Sequence, residues 1–197
     1  VTLSAELSGS YNSAQLGRQL LLEEHPEKKI YVFNSRSASI GETLIALKIQ
    51  ECEEAGMEFE EVVRTVEAYI EGQHTYFVLE TLETLRKNGR LKGIKSLMAS
   101  ALNIKPVMGS TPQGPICQLR QARGIRKALE KMIDEIVRGV KKPEEKVLAI
   151  SHCNCPERAK KVKELLLERI RPKDVIVLDT AGFSSMYAAD GGIIVVV

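Results

Sequence analysis

Between Val1 and Ala55 the order strand, serine-rich loop, helix occurs twice, and this order constrains the fold more than any other feature of the chain. Val1-Thr2-Leu3 is a short β-branched stretch. It runs into the small polar loop Leu7-Ser8-Gly9-Ser10-Tyr11-Asn12. Ala14–Glu24 follows, with Leu16, Leu20 and Leu21 at helical spacing, and Pro26 closes it. Ile30-Tyr31-Val32-Phe33 is a continuous apolar run, as expected of a strand buried on both faces. The second serine loop, Asn34-Ser35-Arg36-Ser37-Ala38-Ser39, leads into a helix over Gly41–Ala55, with Leu44, Ala46, Leu47 and Ile49 expected inward. Gly56 stands where a helix C′ glycine belongs. A third helix is expected over Glu60–Glu71. Strand, loop and helix in this repeated order predict a parallel sheet with crossover helices.

In such sheets ligands sit outside the carboxyl ends of the strands. Both serine loops fall at those ends, so one site can be lined by both. A helix start leaves backbone N–H groups unpartnered and carries partial positive charge. A Ser/Gly loop there lets the backbone approach an anion and adds hydroxyl donors. Leu7–Asn12 therefore reads as an anion-binding turn. The alternative is an ordinary N-cap, with Ser10 or Asn12 capping a helix over 13–23.

Gly72-Gln73 marks the expected domain boundary, giving 1–73 and 74–197. A strand is expected over Thr75–Leu79 and helices over Glu80–Asn88 and Leu91–Leu102. Pro106-Val107-Met108 turns at Pro112-Gln113-Gly114 and returns antiparallel through Ile116–Leu119, a hairpin by its turn chemistry. Helix Gly124–Gly139, strand Val147–Ser151, helix Pro156–Ile170, strand Val175–Leu178, a short helix Ser184–Ala188 and strand Gly192–Val197 follow. Hairpin and crossover units together predict a mixed sheet for this half.

Composition excludes several classes. The net charge of +2 across 197 residues argues for neither nucleic acid nor an anionic membrane surface. Aromatics make up only 5%, which leaves little for base stacking. Cys52, Cys117, Cys153 and Cys155 are too few for a disulfide scaffold and read as reduced thiols of a cytoplasmic protein. No apolar run reaches the length of about 20 residues that spans a bilayer.

Leu85-Arg86-Lys87-Asn88-Gly89-Arg90 groups three cations around a glycine. Arginine recognises carboxylate or phosphate, while a solvated helix C-terminus accounts for the same residues. His152-Cys153-Asn154-Cys155 lacks both zinc spacing and a distant second pair. It reads as a strand end, with Asn154 or Cys155 near the N-cap of the helix opening at Pro156. No nucleophile elbow and no phosphate-binding glycine pattern occur, so no catalytic residue, metal or cofactor is expected.

Several stretches resemble the DegV family. Leu7–Ala14 resembles its L-S-G-T-Y-x-S-A, and Phe33–Gly41 its D-S-x-S-x-S-x-G loop, with Asn34 in place of Asp. Thr81–Arg90 is similar to T-L-x-Y-L-R-K-G-G-R, Asn103–Val107 to N-I-K-P-I, and Arg123–Leu129 to R-T-R-K-K-A-L. The stretches keep the family order along the whole chain. The resemblance implies an α/β protein of two domains: a three-layer α/β/α unit with a parallel sheet, and a two-layer α/β unit with a mixed sheet. It implies a bacterial binding protein that holds a long-chain fatty acid between the domains. The fatty acid is the ligand, with no cofactor, and a fatty acid kinase, the partner, receives its carboxylate to make acyl phosphate for phospholipid synthesis. Ser8, Gly9 and Ser10 would hold the carboxylate, with Ser39 nearby. Arg90, or alternatively Arg86, would lie at the carboxylate end or at the kinase contact. The alternative function is the substrate-binding component of a phosphotransfer enzyme related to dihydroxyacetone kinase. The chain departs from the family pattern twice. The segment with T-D-S and T-S-Q-P motifs, which supplies a threonine for the carboxylate, is expected before Val1. Ala188 stands where many members carry the histidine of H-x-G-P-G.

Overall fold

The computed structural model describes residues 1–91 and 103–197. Beyond Leu91, the helix expected over Leu91–Leu102 lies outside the described residues. The chain divides into two compact units, Val1–Gln73 with Pro112–Pro115, and His74–Thr111 with Ile116–Val197.

The first unit contains α1 (Ser10–Glu24), α2 (Ile40–Glu54) and α3 (Phe59–Glu71). The two N-terminal apolar segments meet in the parallel sense. They do so through a single bridge, Thr2 to Asn34, rather than a ladder. Thr2 N–H donates to Phe33 O at 3.0 Å and Ser35 N–H to Thr2 O at 3.2 Å. Phe33, Ile45, Cys52, Val66 and Ile70 form the core of this unit. The inward face of α2 is Leu44, Ile45 and Cys52, whereas Ala46 and Leu47 face outward and Ile49 is half-buried. The expectation that Ala46 and Leu47 face inward fails because Leu44–Leu47 is apolar all round, and spacing within such a run does not fix the phase of the helix. In α1 no residue is buried. Leu16 and Leu20 keep their helical spacing but are 57% and 55% exposed. Periodicity identifies residues that share a face; it does not supply what covers that face.

The second unit is built on β1 (Thr75–Val78), β2 (Ile104–Ser110), β3 (Ile116–Arg123), β4 (Val147–His152), β5 (Asp174–Asp179) and β6 (Ile193–Val196). They form a mixed sheet in the order β3-β2-β1-β6-β4-β5. Only β4 and β5 pair in parallel; the other neighbours are antiparallel. The apolar run at the end of the chain thus becomes an interior strand, which is why it carries no alternation. Pro106 is tolerated in β2 because β1 pairs only with Met108 and Gly109, leaving Pro106 with β3 alone.

The helices of this unit are α4 (Glu83–Lys87), α5 (Ile125–Gly139), α6 (Pro156–Leu167) and α7 (Gly182–Ala188). α5 buries Ala128, Leu129, Met132, Ile133 and Ile136, one stripe at helical spacing, into a core shared with Val78, Leu148, Ile150 and Leu166. A smaller cluster on Phe77, Leu79, Leu85, Met108 and Ala188 lies beneath α4 and α7. α4 is shorter than expected: Thr81 Oγ1 accepts the Glu83 N–H at 3.1 Å and starts the helix there. At its other end Gly89, at φ 71, lets Arg90 N–H reach Leu85 O at 2.8 Å and Gly89 N–H reach Arg86 O at 3.0 Å. No described helix is long and apolar enough to cross a membrane.

Two outcomes follow for stability. Ile136 is fully buried on α5, so Ile136→Ala should cost about 2–5 kcal/mol in urea unfolding, the range for emptying a packed core position. His74 exchanges both backbone hydrogen bonds with Val197, and burial, then Lys146 and Lys141, push its imidazole pKa below 6.5. The unfolded chain therefore takes up this proton at a higher pH than the folded one. Stability is full above 6.5 and falls as the pH drops through that value toward the folded pKa. His74→Gln should flatten the slope of unfolding midpoint against pH in that interval.

Candidate functional site

The two serine loops lie together. Ser4 N–H donates to Ser37 O at 2.9 Å, and Asn34 Oδ1 accepts both the Ala5 N–H at 3.0 Å and the Arg36 N–H at 3.2 Å. One amide oxygen thus holds the start of the first loop against the second. A short polar side chain after an apolar segment does this well because it reaches backbone groups of its own turn and of a neighbour. The shared placement expected from the topology is present. Its fasteners are Asn34 and Ser4, which the sequence reading did not assign to the site.

Ser4 is fully buried, and its carbonyl accepts Leu7 N–H at 2.9 Å and Ser8 N–H at 3.1 Å. Its hydroxyl accepts Glu6 N–H at 3.3 Å and donates to Gly114 O at 3.4 Å. These bonds curl Ser4–Ser8 into a turn that delivers the chain to the start of α1. The helix opens at Ser10, earlier than the expected 13–23, so neither Ser10 nor Asn12 is its cap. Gly9 is the cap residue, with no side-chain cap bond. Ser8 Oγ accepts the Ser10 N–H at 3.2 Å.

Gly9 is exposed, and nothing lies within 4 Å of the position a Cβ would take. The backbone is open to an approaching group there. Ser8 and Ser10 are half-buried. Ser10 Oγ is buried with no hydrogen-bond partner, one of three such side-chain oxygens among the described residues, with Gln73 Oε1 and Thr111 Oγ1. A buried hydroxyl without a partner costs about 1–3 kcal/mol. This one sits in the first turn of a helix whose partial charge favours anions.

Ser39 precedes α2 at φ 57 and ψ −125, a conformation that costs a side-chain-bearing residue energy. Glu42 bonds back to the Ser39 backbone, which offsets part of the burial that raises its carboxyl pKa. The Glu half of a capping box is therefore present in Ser39-Ile40-Gly41-Glu42. Ser35 and Ser37 are buried, and Ser35 Oγ bonds both the Ser37 carbonyl, at 3.0 Å, and the Ser37 N–H, at 3.1 Å. The Ser35 hydroxyl shapes the loop.

Arg86 and Arg90 belong to the second unit, and the serines to the first. Arg86 is exposed in the last turn of α4; Arg90 is half-buried just past Gly89, with its guanidinium on Asn88 O. Elsewhere in the second unit a cavity of about 610 Å³ is lined by Glu80, Lys105, Arg123, Arg126, Lys127 and Glu130, among others. Six of its lining residues are charged, with Asn103, Gly124 and Ile125 beside them. At the end of β4, Cys155 is the cap of α6 with Pro156 in its first turn, as read from the sequence. His152 is buried, with Nδ1 3.1 Å from Asp179 Oδ1.

Known proteins are similar to this chain in sequence and fold. A family model described as uncharacterised proteins of the DegV family matches residues 1–196. A DegV domain-containing protein of Streptococcus pneumoniae R6 is 35% identical over 194 residues, covering 98% of this chain and 68% of that protein. A solved DegV family protein from Ruminococcus gnavus, refined with vaccenic acid, is 67% identical. It covers 100% of this chain and 70% of that one, with a TM-score of 0.96. The Streptococcus pneumoniae fatty acid kinase (Fak) B3 protein loaded with linoleic acid is 33% identical over 99% of this chain and 69% of that one, with a TM-score of 0.89. Matched from its first residue almost to its last, this chain belongs to the DegV family.

Proposed function

We propose that this chain binds a long-chain fatty acid and presents its carboxylate to a fatty acid kinase that forms acyl phosphate for phospholipid synthesis. One observation carries the reading: Ser10 Oγ is buried at the mouth of α1 and bonded to nothing. A carboxylate accepts the hydrogen bond that this hydroxyl lacks, and the Ser8 hydroxyl and the backbone at Gly9 lie beside it. The fatty acids carried by the R. gnavus and S. pneumoniae proteins supply the substrate class. Ser39, on the adjoining loop, and Arg90, with Arg86 as the alternative, are the further ligand or kinase contacts we assign. The chain contributes binding and orientation, and the chemistry is the kinase's. We assign this work to the cytoplasm, the compartment in which the four cysteines, read from the sequence as reduced thiols, would stay reduced.

Magnitudes divide the labour. Burial is worth about 0.8 kcal/mol per methylene, so a tail of about fifteen contributes on the order of 10 kcal/mol. A charge-assisted hydrogen bond to the head contributes about 1.5–3 kcal/mol. The tail supplies affinity, and the head group fixes orientation, leaving the carboxylate where a second protein can reach it.

Organic extraction of the purified protein followed by mass spectrometry should recover a long-chain fatty acid; a phosphorylated or sugar-like ligand would overturn the reading. Ser10→Ala should leave the ligand-free protein equally or more stable, because it removes an unpartnered buried hydroxyl. It should also weaken fatty-acid binding about tenfold or more, while binding of the matching fatty alcohol changes little. Equal losses for acid and alcohol would show that Ser10 does not read the carboxylate.

A further inference from the structure

The turn that presents Ser8, Gly9 and Ser10 is braced by residues far from it in sequence. Pro112–Pro115, the tip of the β2–β3 hairpin, groups with the first unit. At its centre Gly114 is buried at φ 106. Its carbonyl takes the Ser4 hydroxyl, across a separation of 110 residues. A Cβ at Gly114 would lie 2.4 Å from Ser4 Oγ and 3.3 Å from the Arg36 Cα. Only a residue without a side chain lets the tip come this close to both loops at once.

The consequences run along the chain from Ser4. Its carbonyl holds the Leu7 and Ser8 amides, its hydroxyl holds the Glu6 amide, and Ser8 Oγ holds the Ser10 amide at the helix start. Moving Ser4 therefore moves the whole turn. Arg36, at φ 50, leaves the backbone on the other side little room to give way. We propose that Gly114 is a positioning residue: it touches no ligand, and it sets the geometry of the anion-binding turn by fixing Ser4 against the second serine loop. Its bearing on fatty-acid binding rests on the function proposed above.

Amide hydrogen exchange on the delipidated full chain tests this without a ligand. In Gly114→Ala, protection at Leu7 and Ser8 should fall about tenfold, the scale of one lost buried hydrogen bond, while β4 amides such as Ile150 keep theirs. Adding Ser4→Ala removes the oxygen that the new methyl strikes, so the double variant should recover part of that protection. Unchanged protection at Leu7 and Ser8, or an equal loss in β4, would overturn the proposal. If Gly114→Ala does not fold, Ser4→Ala alone introduces no clash and should still loosen Leu7 and Ser8 selectively; no change there would also overturn it. Vaccenic acid is then the probe of function. Retention that weakens in Gly114→Ala supports the positioning role, and a loosened turn with unchanged retention overturns it. A wild-type chain that holds no vaccenic acid would remove the proposed function, while the exchange result would still decide whether Gly114 braces the turn.

Discussion

Buried backbone must find partners, and a loop running beneath a helix end has no regular ladder to provide them. In this protein the side chains of Asn34 and Ser4 meet that requirement. Asn34 Oδ1 holds amides from both serine loops, and Ser4, fully buried, bonds through its backbone and its hydroxyl to groups on either side. The single bridge between Thr2 and Asn34 is a small amount of sheet, so these polar contacts carry the register of the two segments. The placement of Ser8, Gly9 and Ser10 at the mouth of α1 depends on them.

The second unit is stabilised differently. Its mixed sheet is covered on one face by the stripe of α5 and by α6, and its central strands are apolar on both faces. A core of this kind tolerates an unusual strand such as β2, which carries a proline and a bulge, because neighbouring pairs hold the register. The two units differ in kind: the sheet forms the body of the second, and the serine-rich turn of the first, with its one unpartnered hydroxyl at Ser10, is where we propose that recognition lies.

Much of this was legible in the residues. Strand–loop–helix order gave the parallel sense in which Thr2 meets Asn34, but only one bridge forms there, Ile30–Phe33 is not a strand, and Tyr31, expected buried, is 41% exposed. Turn chemistry gave the β2–β3 hairpin. The stripe of α5 was visible because charged residues separate its apolar positions. α2 was not, since its apolar residues run round the helix. The exposed leucines of α1 show the same limit from the other side, for spacing cannot report whether a face is covered. Within the site, the serine-rich turn was conspicuous by composition. Ser4 was not, being one more serine in a polar stretch.

The amino-acid sequence by itself determined the order of elements, the place of the two serine loops at the ends of apolar segments, and the family resemblance carried by short motifs. All of these depend on residues close together in the chain. Only the tertiary structure decided which serines hold the fold and which are left with an unpartnered oxygen, because a hydroxyl's partners come from wherever the chain returns. Gly114 meets Ser4 across 110 residues, a contact set by the reach of a hairpin and the room left by a missing side chain. No local pattern encodes a contact of that kind.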